Sequence, residues 1–359
     1  MKFYKFLRNL FLYLSKRRGA KKAWKNRHGI VFKRHPGYKK LPGRGIIKEH
    51  IQYWSPFTRK PDLATLQICC SISGSCNPQI VPEEIFQTDI EPTLNSLPEC
   101  HFFANKSYYN RWFGTGIFPG DYFHSIDGRF FDCHLDQIDF TKVTHLAGTL
   151  SYPVVLKPNV NSYGGRNILF VRSAEELLEY VRQRDNFVVQ EMLYQHPSLG
   201  RLHPQSINTV RVYIYISVRD NSPHIINMAQ RTGVSSCVDN VATGGLVSFI
   251  RENGVLNGYA LDKYGGKYEK HPVTGLAFEQ ELPDFEGLKT LSMDIVNKLF
   301  HLRIAGLDLY YDRAGCWKAV EVNTYSHSIR FAQYAGQPFF GDFTDEVIEY
   351  CMENHWARS

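Results

Sequence analysis

Two short apolar segments near the C-terminal end carry acidic and amide side chains at a spacing that suits a metal site. The segments are IAGLDLYYD (304–312) and WKAVEVN (317–323), separated by a loop of normal β-hairpin length. If the last residue of the first strand pairs with the first residue of the second, Asp308 lies opposite Glu321. Alternation along a strand then places Asn323 on the same face as Glu321.

Opposed carboxylates repel each other unless a cation lies between them. Two carboxylates and an amide supply the oxygen ligands that Mg2+ takes in proteins, and its remaining positions go to water and phosphate. The hairpin therefore predicts a magnesium site formed by Asp308, Glu321 and Asn323. The alternative is a solvent-facing hairpin whose acids are bridged by Arg313 or Lys318.

Basic residues upstream could hold phosphate groups. Lys157 ends the apolar strand PVVLK (153–157) and precedes a loop that contains Gly164 and Gly165, where backbone N–H groups can approach a phosphate closely. The GxxxxGK[ST] and GxGxxG patterns are absent, which excludes a P-loop. The alternative for Lys157 is an exposed lysine in an ordinary turn. Three further bases have less specific surroundings and could equally be structural: Lys106, Arg211 and Arg231.

The elements that must position these residues follow from hydrophobic periodicity. The segments NFVVQEML (186–193) and TVRVYIYIS (209–217) are predicted strands, and the second is predicted to be half-buried because its apolar residues alternate with polar ones. A capping box at Ser173 predicts a helix start, and apolar residues at helical spacing predict a helix near 287–302. Together they indicate an α+β enzyme-like body without repeats.

Charge is unevenly distributed along the 359 residues. Residues 1–48 hold 16 Lys and Arg and no acid, whereas residues 49–359 hold 26 Lys and Arg against 35 Asp and Glu. The formal net charge of +7 therefore combines a basic arm with an acidic body. A hydrophobic content of 43% excludes a disordered chain, and the acidic body argues against a nucleic-acid-binding domain.

The beginning of the arm predicts a basic amphipathic helix. Arg8 interrupts the apolar run too early for a transmembrane span, and no small-residue cleavage site follows. Such a helix suits the interface of an anionic leaflet, and the alternative is that it packs on the body with its bases in solvent. The apolar residues that share one helical face are Phe3, Phe6, Leu7, Leu10, Phe11 and Leu14.

The eight cysteines are scattered and show neither a CxxC pair nor the spacing of a zinc site. Without a signal peptide, reduced thiols are the simplest interpretation. The cluster of Cys69, Cys70 and Cys76 is predicted to be structural because the sequence places no base beside it.

In combination, these segments resemble the ATP-grasp superfamily and, within it, the sugar-transfer-associated branch. The resemblance rests on IVPEEIFQTDIEPTLN, ANKSYYNRWF, VVLKPNVNSYGGRNILFV, FVVQEML, SINTVRV, VDNVATGGLVSFI, HPVTG, and the pair GLDLYYD and KAVEVN. It implies an α+β ATP-grasp fold in which two α+β lobes clamp ATP, preceded by the helical arm. The implied boundaries are 1–48 for the arm, 49–104 for a region preceding the clamp, 105–188 for the small lobe and 189–359 for the large lobe with the hairpin.

The resemblance also implies a role for each matching residue. Lys106 and Lys157 would contact the ATP phosphates, covered by the loop with Gly164 and Gly165. His327 could bind substrate or act as a base, with a structural role as the alternative. The implied adenine-contacting hinge consists of Gln190, Glu191 and Leu193. The implied metal ligands are Asp308, Glu321 and Asn323, and Asp308 would also contact the nucleotide. Arg211 and Arg231 would contact the transferred phosphate or the acyl substrate.

The activity implied by the resemblance is ADP-forming carboxylate–amine ligation through an acyl phosphate. Lys157, Arg211 and Arg231 would be the catalytic residues, as cations that stabilise the transferred phosphate. The implied cofactors are ATP and Mg2+. Two magnesium ions would be bound, and Mn2+ could replace them. The implied substrates are an amino acid and a sugar or sugar nucleotide, and the sugar would be a uronic acid or an amino sugar. The product would be used to make cell-surface polysaccharide such as capsule. Two alternatives are a kinase of the same fold and an ATP-binding accessory protein of a glycosyltransferase system. The expected location is the cytoplasm, at the inner face of the plasma membrane through residues 1–48.

Overall fold

A computed structural model describes residues 2–160, 167–234 and 244–358. Two antiparallel sheets and the helices that cover them make up an α+β chain, as predicted. The strands are β1 (Asp121–Ile126), β2 (Arg129–Asp132), β3 (Gln137–Ile138), β4 (Val154–Lys157), β5 (Leu169–Val171), β6 (Phe187–Glu191), β7 (Thr209–Ile216), β8 (Pro223–Thr232), β9 (Leu246–Ile250), β10 (Leu256–Leu261), β11 (Lys267–Tyr268), β12 (Ile304–Tyr311) and β13 (Trp317–Asn323). The helices are α1 (Lys2–Arg34), α2 (Arg44–Trp54), α3 (Ala64–Ser73), α4 (Glu83–Ile85), α5 (Glu91–Leu94), α6 (Tyr109–Phe113), α7 (Phe140–Thr149), α8 (Ala174–Val181), α9 (Pro197–Gly200), α10 (Phe285–Val296), α11 (Arg330–Gln333) and α12 (Thr344–Glu353).

The first sheet has the order β3-β2-β1-β6-β4-β5 and is covered by α7 and α8. Its core joins strand residues such as Phe123 and Leu156 to Val143 of α7 and Leu177 of α8. Helix α8 begins where the sequence predicts, because Ser173 Oγ accepts a hydrogen bond from the backbone N–H of Glu176 at 3.3 Å. This sheet carries Lys157 at the end of β4.

The second sheet has the order β11-β10-β9-β8-β7-β12-β13 and is covered on both faces. Val210 and Val212 of β7 pack in the core that includes α10. On the opposite face, Tyr213 and Tyr215 are buried against residues of the N-terminal region. The prediction that β7 is half-buried is therefore wrong, because a second layer of helices covers the face that carries its polar-looking residues.

The segment that follows the arm forms that second layer. Ile85, Phe86 and Ile90 lie in one core with Tyr213 and Tyr215 of β7. The segment between the arm and the first sheet therefore packs against the large sheet, and it does not stand apart as a separate body.

Helix α1 docks on the body through its C-terminal part. Trp24, His28 and Val31 are buried, and His28 Nε2 lies 2.9 Å from Glu83 Oε2. Burial alone lowers the pKa of His28, but the carboxylates of Asp62 and Glu83 outweigh it and raise that pKa to about 9. No helix in the described ranges is long and apolar enough to cross a bilayer.

A disulfide joins Cys70 to Cys76. Helix α3 ends at Gly74, whose φ of +76° is a conformation that glycine adopts without strain, and the chain reverses there. The reversal brings the Cα atoms of the two cysteines to 4.7 Å, within the range of a disulfide. The prediction of reduced thiols is therefore wrong for this pair.

Candidate functional site

The hairpin of β12 and β13 brings the predicted acidic residues together. Asp308 is paired with Glu321, and Gly306 with Asn323, as the sequence predicts. Asn323 Nδ2 lies 3.2 Å from the carbonyl oxygen of Gly306 and 3.5 Å from Asp308 Oδ2. Two carboxylates and an amide therefore share one face at the open end of the hairpin, away from its turn.

The pairing at the tip of the hairpin differs from the prediction by one residue. Trp317 pairs with Tyr311 and not with Asp312. A β-bulge between Asp308 and Leu309 corrects this offset by leaving Val320 as the extra residue of β13. The acidic pair was thus predicted correctly although the assumed turn was wrong.

Asp308 is a buried carboxylate held by two arginines. Arg211, its neighbour on β7, donates from Nη2 to Oδ2 at 2.9 Å and from Nε to Oδ1. Arg231 of β8 places Nη2 2.9 Å from Oδ1. Burial alone raises the pKa of Asp308, but the two guanidinium groups outweigh this effect and lower it to about 2. Asp308 is therefore ionised at neutral pH and fixes both arginines at the hairpin.

Two lysines lie near the hairpin: Lys157 at the end of β4 in the first sheet, and Lys106 in the segment just before α6. Lys106 Nζ lies 2.8 Å from Glu321 Oε1, and the Lys106 side chain is only 3% exposed. The backbone N–H of Lys106 donates to the carbonyl of Asn159, two residues beyond Lys157, at 2.7 Å. This bond brings together two lysines that lie far apart in the sequence.

Lys157 is buried without a compensating charge of its own. Among the described residues no carboxylate forms a direct ion pair with it. Burial lowers its pKa, the positive charge of Lys106 lowers it further, and the more distant Glu321 and Asp121 counter this in part, so the pKa falls to about 8. A buried amine beside a second cation is unfavourable unless an anion joins them. An anionic group placed beside the two amines would remove this cost.

The predicted hinge lies at the end of β6. Gln190 Nε2 donates to Asp121 Oδ1 at 2.7 Å, whereas Gln190 Oε1 is buried and has no hydrogen-bond partner in the described ranges. Glu191 is fixed by Gly120, whose N–H donates to Glu191 Oε1 at 2.8 Å. Leu193 follows the strand and is half-buried. Sequence reasoning missed Asp121, which nothing in its local pattern distinguishes.

The segment that follows the hinge is hydrogen-bonded to the tip of the acidic hairpin. The backbone N–H of Arg313 donates to the carbonyl of Tyr194 at 3.0 Å, and that of His196 donates to Tyr311 at 2.9 Å. These bonds tie the exit of β6 to the tip of β12. The lysines, the hinge and the acids consequently converge where the two sheets meet.

Two predicted site residues, Gly164 and Gly165, lie outside the described residues. Within the described part of the chain, no group of three or more His, Cys, Asp and Glu residues could hold a metal ion. A metal at the hairpin would therefore take two carboxylates, the amide of Asn323 and ligands from outside the protein.

His327 lies under the hairpin with both ring nitrogens engaged. Nδ1 is 2.7 Å from Glu91 Oε1, and Nε2 is 3.1 Å from the carbonyl oxygen of Asn323. Both contacts are with oxygen atoms of the protein, a carboxylate on one side and a backbone carbonyl on the other. Of the roles considered for His327, the structure supports the structural one. Sequence reasoning missed its partner Glu91, which lies 236 residues away.

Removing the Glu91 carboxylate is expected to destabilise the protein. Glu91 Oε1 accepts hydrogen bonds from both the backbone N–H of His327, at 2.8 Å, and its ring. Glu91→Ala leaves two buried donors unpaired and should lower the free energy of unfolding, measured in urea, by about 2 kcal/mol or more. Glu91→Gln keeps an acceptor oxygen and should cost less. Equal stability of both variants and wild type would contradict this role.

Residues 174–343 match the model of a family described as sugar-transfer associated ATP-grasp. The matched range contains the hinge, both arginines and the acidic hairpin, and it excludes Lys106 and Lys157. The resemblance predicted from the sequence is thereby confirmed for these residues. No curated protein matches the chain.

Solved structures resemble this chain at low identity. The N5-carboxyaminoimidazole synthetase of Staphylococcus aureus with ADP has a TM-score of 0.39 and 10% identity, covering 63% of this chain and 46% of its own. The biotin carboxylase domain of a Hydrogenobacter thermophilus 2-oxoglutarate carboxylase has a TM-score of 0.42 and 12% identity, covering 69% and 45%. The L-amino acid ligase of Bacillus licheniformis has a TM-score of 0.38 and 14% identity, covering 68% and 48%. This chain thus spans less than half the length of each, and no activity follows from these likenesses.

Proposed function

We propose that this chain, whose residues 174–343 match the sugar-transfer associated ATP-grasp family, is an ATP-dependent carboxylate–amine ligase. The observation that carries the proposal is the convergence of Lys106 and Lys157 on the acidic hairpin, where no carboxylate of residues 2–160, 167–234 or 244–358 forms a direct ion pair with the buried Lys157. A triphosphate supplies the anionic charge that this arrangement lacks.

The hinge residues fit an adenine ring. Gln190 Oε1 is a buried acceptor without a partner in the described ranges, and an exocyclic amine is a suitable donor. Glu191 and Leu193 lie where the chain leaves the first sheet, in a segment that is hydrogen-bonded to the tip of the hairpin. Val155 of β4 pairs with Gln190 of β6, and Lys157 lies two positions further along β4. In the proposal, the base therefore contacts the hinge and the phosphates contact Lys157 and Lys106.

The hairpin residues fit magnesium. Glu321 uses one oxygen for Lys106, and its other oxygen accepts no hydrogen bond from the described residues. A carboxylate offers about four lone-pair positions, so Asp308 can keep both arginines and still ligate an ion if the 3.5 Å contact from Asn323 gives way. Bound Mg2+ would neutralise charge on the β- and γ-phosphate oxygens. Neither the number of ions nor a preference over Mn2+ follows from these residues.

The protein's own groups would act on charge and position. Lys157 and Lys106 stabilise the phosphate charge that spreads during transfer of the γ-phosphoryl group to a substrate carboxylate. Arg211 and Arg231, fixed by Asp308, stabilise the same group. The carboxylate oxygen forms a bond to phosphorus as ADP leaves. An amine then attacks the acyl carbon, phosphate leaves, and the amine loses a proton.

The substrate class that we propose is an amino acid joined by an amide bond to a uronic acid or an amino sugar, free or nucleotide-linked. Its support is the sugar-transfer association of the matched family. The product would belong to cell-surface polysaccharide.

The test is a screen for ADP formation with amino acids paired against uronate and amino-sugar acceptors, with product masses determined. A ligase should form ADP only when both an acid and an amine are present. Hydroxylamine in place of the amine should give a hydroxamate, because it captures an acyl phosphate. The Glu321→Gln variant, which keeps the shape of the site, is the negative control.

Other outcomes would replace the proposal. ADP formation with a sugar alone, giving a stable phosphate ester and no hydroxamate, would identify a kinase. Nucleotide binding without turnover across the whole screen would identify an ATP-binding accessory protein.

A further inference from the structure

The rotational setting of α1 on the body is fixed by polar contacts along one face. Tyr13 donates its hydroxyl to Asp89 Oδ1 at 2.8 Å, and Trp24 Nε1 donates to Gln87 Oε1 at 2.9 Å. His28 and Val31 continue this face toward the end of the helix, where both are buried. The face opposite these residues is therefore turned away from the body.

The first turns of α1 present apolar side chains on that outer face. Tyr4 and Phe11 are 75% and 72% exposed, and Leu7 and Leu14 are also exposed. Their spacing of three and four residues aligns them along one side of the helix. At 3.6 residues per turn this side lies roughly 140° from the docked one. The Phe3 side chain, predicted for the apolar face, lies outside the described part of the chain.

The same side of the helix becomes basic beyond the apolar turns. Arg18, Lys22 and Lys25 follow Leu14 at intervals of four, four and three residues, and all are exposed. The sequence has no acid before Glu49. One continuous outer face of α1 therefore carries four apolar residues followed by three bases, with nothing to neutralise them on the helix itself.

We infer that this outer face binds the interface of an anionic bilayer. Tyr4, Leu7, Phe11 and Leu14 enter the boundary between headgroups and acyl chains, while Arg18 and Lys22 contact lipid phosphates. The docked face stays on the protein, so the body remains on the aqueous side of the helix. A bilayer satisfies the apolar and the basic stretches together because its headgroups form a continuous negative surface above an apolar layer. The inference depends only on α1 and is independent of the ligase proposal.

The test is co-sedimentation of the full chain with vesicles of phosphatidylcholine containing about 30% phosphatidylglycerol, and with vesicles of phosphatidylcholine alone. Wild type should bind the anionic vesicles and lose most binding to the neutral ones. Leu7→Glu with Phe11→Glu should reduce binding about tenfold or more. The matched control is Phe300→Glu, at an aromatic residue of the body that is 52% exposed, which should bind as wild type does.

Charge reversal tests the second half of the face. Arg18→Glu with Lys22→Glu should weaken binding to anionic vesicles, whereas Lys142→Glu with Lys270→Glu, at exposed lysines of the body, should not. Thermal unfolding without vesicles should be nearly the same for the Leu7 and Phe11 variant and wild type, since both side chains are exposed. Unchanged vesicle binding by that variant would overturn the inference. So would a dimer in solution that it abolishes, because the face would then bind a second copy.

Discussion

Replacing Lys157 with methionine is expected to abolish ADP formation and, without nucleotide, to make the protein more stable. Methionine fills the same buried space without a charge. Loss of a cation that stabilises the transferred phosphoryl group should lower kcat/KM for ATP by about a hundredfold or more. The reduction of the Lys157 pKa from 10.5 to about 8 corresponds to a burial penalty of about 3 kcal/mol, which methionine does not incur.

The pH dependence of the free energy of unfolding distinguishes the removal of a buried charge from a simple change in packing. The folded-state pKa of Lys157 is below its unfolded value, so the penalty is present in full below about pH 8 and disappears as the pH rises to 10.5. The stability advantage of Lys157→Met in urea should therefore be largest near neutral pH and vanish at high pH. ATP should stabilise wild type and not the variant. Lys142→Met, at an exposed lysine, is the matched control. A variant that is destabilised at neutral pH, or that still turns over ATP, would contradict the prediction.

Replacing Asp308 with asparagine is expected to abolish ADP formation and to destabilise the protein. Asp308 is buried and neutralises Arg211 and Arg231, both of which are mostly buried. Removing one partner of a buried ionic group leaves uncompensated charge and costs about 3–5 kcal/mol. Glu321→Gln should also abolish ADP formation, at a smaller cost of about 1–3 kcal/mol, because Glu321 holds one buried cation, Lys106, where Asp308 holds two.

Acid denaturation provides the second measurement on Asp308. Its folded-state pKa of about 2 lies below its ordinary value of 3.8, so its ionisation contributes about 2 kcal/mol to stability above pH 3.8, and this is lost as the pH falls toward 2. The Asp308→Asn variant should lack this part of the acid-unfolding curve. ADP formation that is unchanged in Glu321→Gln would rule out magnesium at the hairpin.

Local patterns in the sequence predicted the parts of the site that depend on nearby residues. The alternation of side chains along β12 and β13 placed Asp308 opposite Glu321, and the apolar run before Lys157 placed that lysine at a strand end. The capping box at Ser173 gave the start of α8. Each of these features is set by steric and hydrogen-bonding rules that act over a few residues.

Features that depend on distant segments could not be predicted. The burial of Tyr213 and Tyr215 requires helices from residues 83–94, more than one hundred positions earlier. The contact of Glu91 with His327 has no local signal either. For α1, the sequence identified an amphipathic helix but not which face docks, because Trp24 and His28 outweigh the more apolar first turns only once Gln87 and Glu83 are in place.

The bulge at Val320 separates the pairing of the acidic residues from the pairing at the tip of the hairpin. The pairing offset changes between Leu309 and Asp308, so residues on the acidic side keep one register while those on the tip side keep another. The hairpin therefore contains two pairing registers, and the register that pairs Asp308 with Glu321 does not extend to the loop at the tip.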